Sequence, residues 1–320
     1  MYNIITLGSA TIDVFVDTEL PEVHKGREGL IAYRVGSKIL IRKIKFLAGG
    51  SAVNTAIGFS RLGLKVGCIS KLGENNDSII EILKKEGVDF LGRKVKGTGG
   101  YSIILDSKEH NRTILVYHGL NDEITFNDID IKKARTSWFY IAATTHKSFK
   151  TSVRIIKSAK KNKTKIVLNP GTYQITLYKK EIEDILGNVE IIIFNREEAE
   201  TLIGKKKNIR ELLKKTASLG PPIVCITDGR KGGWVYNNSN IYFIKPHNIK
   251  VVERTGAGDA FSSGFVAGII RTGNIEFSLQ LALINAESVI RYHGAQNKLL
   301  TWNEALYKIK RTNIVIRKWK

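Results

Sequence analysis

Six short apolar runs, most of them rich in isoleucine and valine, recur at residues 4–7, 66–69, 139–142, 165–168, 191–194 and 223–226. They are apolar through most of their length instead of alternating, the pattern of strands covered on both faces. Helical patterns lie between them, at about 52–62, 78–86, 149–161, 182–186 and 209–219. Repetition of strand, helix, strand predicts right-handed crossovers and a doubly wound α/β fold: a mostly parallel sheet flanked by helices. The length of 320 residues allows two domains, but the alternation runs from end to end and predicts a single unit spanning 1–320. Two stretches, 13–46 and 94–117, break this rhythm. They are strand-like, with alternating residues at 39–46 and 101–105, and predict a small separate sheet. Loops at the carboxyl ends of parallel strands converge on one crevice, and Asp13, Gly49, Gly50, Asn169 and Asn195 fall at or just beyond strand ends.

Charge narrows the function classes. Lys and Arg total 51 against 30 Asp and Glu, a formal net charge of +21 that attracts polyanions. The basic residues are scattered, as at Lys157, Lys160, Lys161, Lys163, 205–207 and 214–215, with no recognisable nucleic-acid module. A solvated basic surface is expected, with no nucleic acid partner. No run approaches the roughly 18 apolar residues of a membrane span, and the first residues lack the pattern of a signal peptide. A cytoplasmic protein without membrane contact is therefore expected. Cys68 and Cys225 lie in apolar runs, as buried inert thiols do. The six histidines are dispersed without ligand spacing, which argues against zinc.

The stretch 253–264 reads Glu-Arg-Thr-Gly-Ala-Gly-Asp-Ala-Phe-Ser-Ser-Gly. Gly256, Ala257 and Gly258 let the backbone approach an oxyanion closely. The helix that follows, with Phe261, Phe265 and Ile269 on one face, adds its positive N-terminal end. Asp259, in the first turn, is placed to take a proton from an attacking hydroxyl, the general-base half of phosphoryl transfer. The competing reading is that Asp259 only complements the helix dipole.

The segment 255–259 resembles the C-terminal signature of the ribokinase (PfkB) family of carbohydrate and nucleoside kinases. Residues 48–63, Ala-Gly-Gly-Ser-Ala-Val-Asn-Thr-Ala-Ile-Gly-Phe-Ser-Arg-Leu-Gly, resemble its N-terminal signature. Between them 98–102, 112–114, 119–121, 195–198 and 227–232 are similar to family landmarks in the family's order. The resemblance implies an ATP-dependent phosphotransferase acting on a hydroxyl of a small sugar or polyol, with Mg2+ and an Asp base. A nucleoside kinase of the same fold is the alternative, and a non-catalytic ligand sensor is the alternative of another class. ATP is the default donor, with ADP left open.

The same resemblance assigns residues. Asp13, Gly49, Gly50 and Asn54 match positions that hold the acceptor, although Asp13 and Asn54 also suit a turn cap and a helix start. Asn195 and Glu198 match the Asn-x-x-Glu motif that serves Mg2+ through water, while the same pair reads locally as a helix-capping box. Thr227, Gly229 and Gly232 match the loop lining the nucleotide site, where a plain turn is the local reading. The segment 285–296 matches one that covers the adenine and helps to bind a monovalent cation. Glu253 and the Tyr292-His293 pair depart from the ribokinase pattern there and weigh against potassium activation. A lid formed by about 13–47 and 94–120 is implied, with a homodimer through its exposed face. Ser51 stands where ribokinases carry lysine, and 142–146, Ala-Ala-Thr-Thr-His, lacks their ribose-binding glutamate, which disfavours ribose as the acceptor.

Overall fold

The computed structural model describes residues 1–18, 23–25, 28–107, 112–130 and 132–319. The first apolar run forms the strand Tyr2–Leu7, inside a ten-stranded sheet. It pairs in parallel with Val66–Ile69 on one side and Thr136–Ile141 on the other. Val88–Phe90 completes the near edge, while Lys165–Leu168, Ile191–Asn195 and Ile223–Thr227 continue the parallel block on the far side. Successive side chains of a strand point to opposite faces. Ile4, Tyr140, Val167 and Ile193 accordingly join one core with Ile57 of helix Ser51–Arg61, Phe265 of helix Ala257–Thr272 and Leu279 of helix Ile275–Val289. Ile5, Ile141, Ile166 and Phe194 join the other, with Ile155 of His146–Ala159, Ile182 of Thr172–Ile185, Leu202 of Arg196–Ile203 and Leu213 of Ile209–Ala217. Burial on both faces is why these strands read as uninterrupted apolar runs.

Two elements depart from expectation. Three antiparallel strands, Gly233–Asn237, Asn240–Ile244 and Ile316–Trp319, extend the sheet past Ile223–Thr227. Their large side chains Trp234, Phe243 and Trp319 are only half-buried and pack on one another, and the one continuous apolar run among them, Ile-Tyr-Phe-Ile at 241–244, is not among the six. The helix expected over 182–186 begins at Thr172 and departs from helical geometry at Tyr178. Its buried apolar residues, Ile175 and then Ile182 and Ile185, stand on either side of that break, which hid the first half.

The two irregular stretches form a separate four-stranded sheet, the lid. Thr11–Asp17 lies inside it, antiparallel to Lys43–Gly49 and parallel to Gly100–Asp106, with Arg112–Tyr117 outermost. Residues 19–22, 26–27 and 108–111 of those stretches lie outside the described residues. Asp13 is thus a residue of the lid's own strand, not of the loop after the first strand. Cys68 and Cys225 are buried and unpaired, and burial pushes the Cys68 thiol up to about 12. Among the described residues no helix is long and apolar enough to cross a membrane.

Candidate active site

Asp13 is held where the lid meets the main sheet. The Thr11 hydroxyl donates to its Oδ1 at 2.8 Å and the Ser102 hydroxyl also bonds it, yet burial wins and raises its pKa to about 6. The charge of Glu253 adds to that rise. Gly49 is the cross-strand partner of Thr11, and a Cβ there would lie 2.1 Å from Asp13 Oδ2. Only glycine leaves the carboxylate its room. The chain then turns at Gly50, with φ +94°, into helix Ser51–Arg61.

That helix presents Asn54 to the other signature. Its Nδ2 donates to Asp259 Oδ2 at 2.9 Å, and its Oδ1 accepts from Gln296 Nε2 at 3.0 Å. Gln296 also donates to Ala48 O, so its amide fixes which way Asn54 faces. Gly256, with φ +77°, caps helix Ala257–Thr272, and a Cβ on it would meet Ala295 at 2.4 Å. Asp259 sits in the first turn, and surrounding protein raises its pKa from the usual 4 or so to about 7. The Asn54 bond opposes that rise and the Asp13 charge adds to it. Gly258 is exposed, with nothing within 4 Å of a built Cβ. Neighbouring protein therefore does not require that glycine, whereas an anion resting on the first turn beside Ala257 would.

The cofactor candidates form a second group, on a ledge next to the cavity. Asn195 and Thr227 end adjacent strands in register. Asn195 Oδ1 accepts the Glu198 N–H and Glu198 Oε2 accepts the Asn195 N–H, each at 2.9 Å, so the capping box is real. The remaining Glu198 oxygen faces the Thr172 hydroxyl at 3.4 Å. Burial raises the Glu198 pKa, as expected for a carboxyl beside a crevice. Between this group and Asp259 lies the buried Tyr140, whose hydroxyl donates to Asn169 Oδ1 and whose pKa is pushed up by burial and then by the charges of Asp259 and Glu198. Gly229 begins a short 3-10 turn at φ +50° with open space where a Cβ would be, and Gly232 closes the loop by accepting the Asp228 N–H. Arg196 ties the loop to the capped helix through Asp228.

A cavity of about 290 Å³ contains Asp13, Gly50, Asn54, Gly256 and Asp259. It excludes Asn195, Glu198, Thr227, Gly229 and Gly232. Sequence reasoning missed much of its wall: Asn121, which grips the Ala10 backbone through both ends of its amide, the cluster His118, Asp122 and Thr145, and Gln174. Asp122 accepts from the Thr145 hydroxyl and faces His118 and His146. The stretches 119–121 and 142–146 contain Asn121 and Thr145, but nothing in the sequence assigned either residue a place in the cavity.

Glu253 Oε2 accepts the Gly294 N–H at 2.9 Å and pairs with His293 Nδ1 at 3.5 Å, so two of the residues that depart from the ribokinase pattern engage each other here. For Mg2+, no cluster of three or more His, Cys, Asp or Glu exists among the described residues. Glu198, with one oxygen engaged in the cap, fits a metal held through water and phosphate oxygens.

The doubly wound fold with its small lid sheet is that of a phosphotransferase family, as comparison with known proteins shows. The chain matches the pfkB family carbohydrate kinase over residues 2–302 and belongs to that family. It is 31% identical over 248 residues to an uncharacterized sugar kinase of Archaeoglobus fulgidus, covering 76% of this chain and 98% of that protein. It is 28% identical over 277 residues to a 5-dehydro-2-deoxygluconokinase of Clostridium botulinum, covering 80% and 82%. Arabidopsis thaliana ribokinase, solved with ribose and ATP, superimposes with a TM-score of 0.78 at 20% identity, covering 97% of this chain and 99% of that one.

Proposed function

We propose that the chain transfers a phosphoryl group from ATP, with Mg2+, to a hydroxyl of a small sugar or related polyol, with Asp259 as general base. The observation that carries this is the placement of Asp259 at a glycine-capped helix N-terminus inside the cavity that also holds Asp13. Asp13 accepts acceptor hydroxyls and orients the one to be phosphorylated. Asp259, with a pKa near neutrality, removes that proton, and Asn54, steadied by Gln296, holds its carboxylate in line. The N–H groups of the first turn, from Ala257 to Asp259, steady charge at the transferring group. ATP and Mg2+ supply the phosphoryl group and neutralise its charge. Asn195, Glu198, Thr227, Gly229 and Gly232 line the nucleotide side, with Glu198 meeting the metal through water. The cavity, at the small end of the roughly 300–1,000 Å³ of ligand pockets, suits a sugar.

The lid, drawn from about 13–47 and 94–120 within one kinase domain, closes over the acceptor and excludes water. On the face away from Asp13 the lid leaves Phe46 62%, Leu115 52% and Ile103 38% exposed, an apolar surface that a second copy of the chain covers in a homodimer. The reading has a cytoplasmic protein with neither nucleic acid nor membrane as partner.

The test is a panel of sugars, polyols and nucleosides assayed with ATP and Mg2+, with Asp259→Asn alongside. Turnover of sugars by the native chain and its loss in the variant supports the reading, and faster turnover of nucleosides replaces the acceptor class. No turnover of any member, with ligand-induced stabilisation, makes the chain a sensor.

A further inference from the structure

The stretch 245–254 leads from the strand Asn240–Ile244 to the Gly256 turn and has neither helix nor strand of its own. Its course is set by bonds to its neighbours. The Lys245 N–H donates to Val315 O at 3.3 Å, and the Val252 and Glu253 N–H groups donate to Ile290 O at 2.8 and 3.2 Å. Between these ends stands His247. Its N–H donates to Glu287 Oε1 at 2.8 Å, its Nδ1 lies 2.9 Å from Glu287 Oε2 and its Nε2 lies 3.0 Å from Asn313 O. Glu287 belongs to the helix Ile275–Val289 and is 9% exposed, so one residue joins the stretch to that helix and to the chain before the strand Ile316–Trp319.

A carboxylate oxygen and a backbone carbonyl accept hydrogen bonds and do not donate them, so both ring nitrogens carry protons here and the ring is charged. Burial opposes that charge, but the Asn313 carbonyl and the Glu287 carboxylate outweigh it and hold the His247 pKa above the usual value, against the charge of Arg291. A cavity of about 110 Å³ lies beside the ring, lined by Ile249 of the stretch and by Ser288 and Thr312, and Glu287, Arg291 and Lys308 are the charged side chains that share its wall with His247. Atoms facing a void gain no contacts across it, so the His247 bonds hold the stretch there more than packing does.

We infer that charged His247 is a positioning residue for the phosphate-binding turn: it fixes the stretch that ends at Gly256, so that the N–H groups of Ala257 to Asp259 keep their aim at the nucleotide's phosphates. This rests on the kinase reading above. His247 itself touches no reactant. Loss of its proton leaves one ring nitrogen facing an oxygen with no hydrogen between them, and one of its two ring contacts opens. The folded state holds that proton more tightly than the unfolded chain, so this contribution to stability is complete below about pH 6.5 and is lost as pH rises through the raised pKa.

The experiment follows the native chain, His247→Gln and Glu287→Gln from about pH 6 to about pH 9, across the ordinary histidine range and above it. Imidazole and backbone amide signals are read by NMR, Tm by thermal scans, and binding of ATP with Mg2+ by calorimetry without an acceptor. At the acid end the Tm of the native chain should exceed that of His247→Gln by about 2 °C or more, and its Kd for ATP should be lower by about 3-fold or more. Both gaps should close toward the alkaline end along the His247 titration, and the Gly256 and Ala257 amide signals should show a step at the His247 pKa that His247→Gln lacks. Glu287→Gln keeps an oxygen for the His247 N–H and should shift the whole pattern to lower pH. Gaps that stay constant with pH overturn the assignment, and so does a Tm gap that closes while ATP affinity and these amide signals are alike in all three chains. Amide steps at the His247 pKa, without ATP binding by the native chain, support the positioning role and remove the kinase reading instead.

Discussion

Asn54 Nδ2 lies 2.9 Å from Asp259 Oδ2, a contact across 205 residues that joins the two helix starts on which the site is built. It orients the carboxylate proposed as the base and limits the rise of its pKa, which burial carries to about 7.

Activity should follow that acidity. Asp259 must be ionised to accept a proton, so kcat/KM should rise with pH through an apparent pKa near 7. Asp13→Asn removes a neighbouring negative charge that raises this pKa, and should move the rising limb to lower pH. A limb that stays in place in Asp13→Asn would detach the rate from this pair.

Asp259→Asn should cost about 10² to 10⁴ in kcat while acceptor affinity holds. It should also change stability in a pH-dependent way. The folded state holds the Asp259 proton more tightly than the unfolded chain, so native stability falls as pH rises from about 4 to about 7 and then levels. The amide has no such loss. The variant's Tm should therefore exceed that of the native chain by about 2 °C or more at pH 8, with the gap closing toward pH 4. Thermal scans across that range check it, and a constant gap would contradict burial of a charge.

Asp13→Ala removes charged acceptors from substrate hydroxyls, each such bond worth about 1.5–3 kcal/mol, and should lower acceptor kcat/KM by roughly 10 to 10² or more. The KM for ATP should hardly move. Gly49→Ala should reproduce this loss with Asp13 itself retained, because its Cβ, 2.1 Å from Asp13 Oδ2, would displace the carboxylate. Equal losses for acceptor and ATP in either variant would make Asp13 a support of the fold.

Glu198→Gln keeps an oxygen for the Asn195 N–H, so the capped helix should persist. The Mg2+ concentration for half-maximal rate should rise several-fold at unchanged acceptor affinity, because an amide interacts less with hydrated metal. Titration of Mg2+ at saturating acceptor measures this. Altered acceptor affinity at normal Mg2+ dependence would assign Glu198 elsewhere.

Much of this architecture is legible in the amino-acid order because it is local. A strand covered on both faces has to be apolar along its length, so runs such as 191–194 announce the parallel sheet, while the antiparallel strands 233–237 and 240–244 mix half-buried aromatics with polar residues and carry a single such run, 241–244. The Asn195–Glu198 cap and the Gly256 turn are legible for the same reason, since each is made by residues a few positions apart. The tertiary structure alone decided what meets across the chain. Asn121 and Gln296 stand in stretches similar to family landmarks and Gln174 in none, but no spacing says that Gln296 meets Asn54, that Asn121 grips the Ala10 backbone or that Gln174 lines the cavity. Periodicity records which face of an element is buried, but the polar groups that share a cavity are set by how the elements pack, and packing is decided over the whole fold.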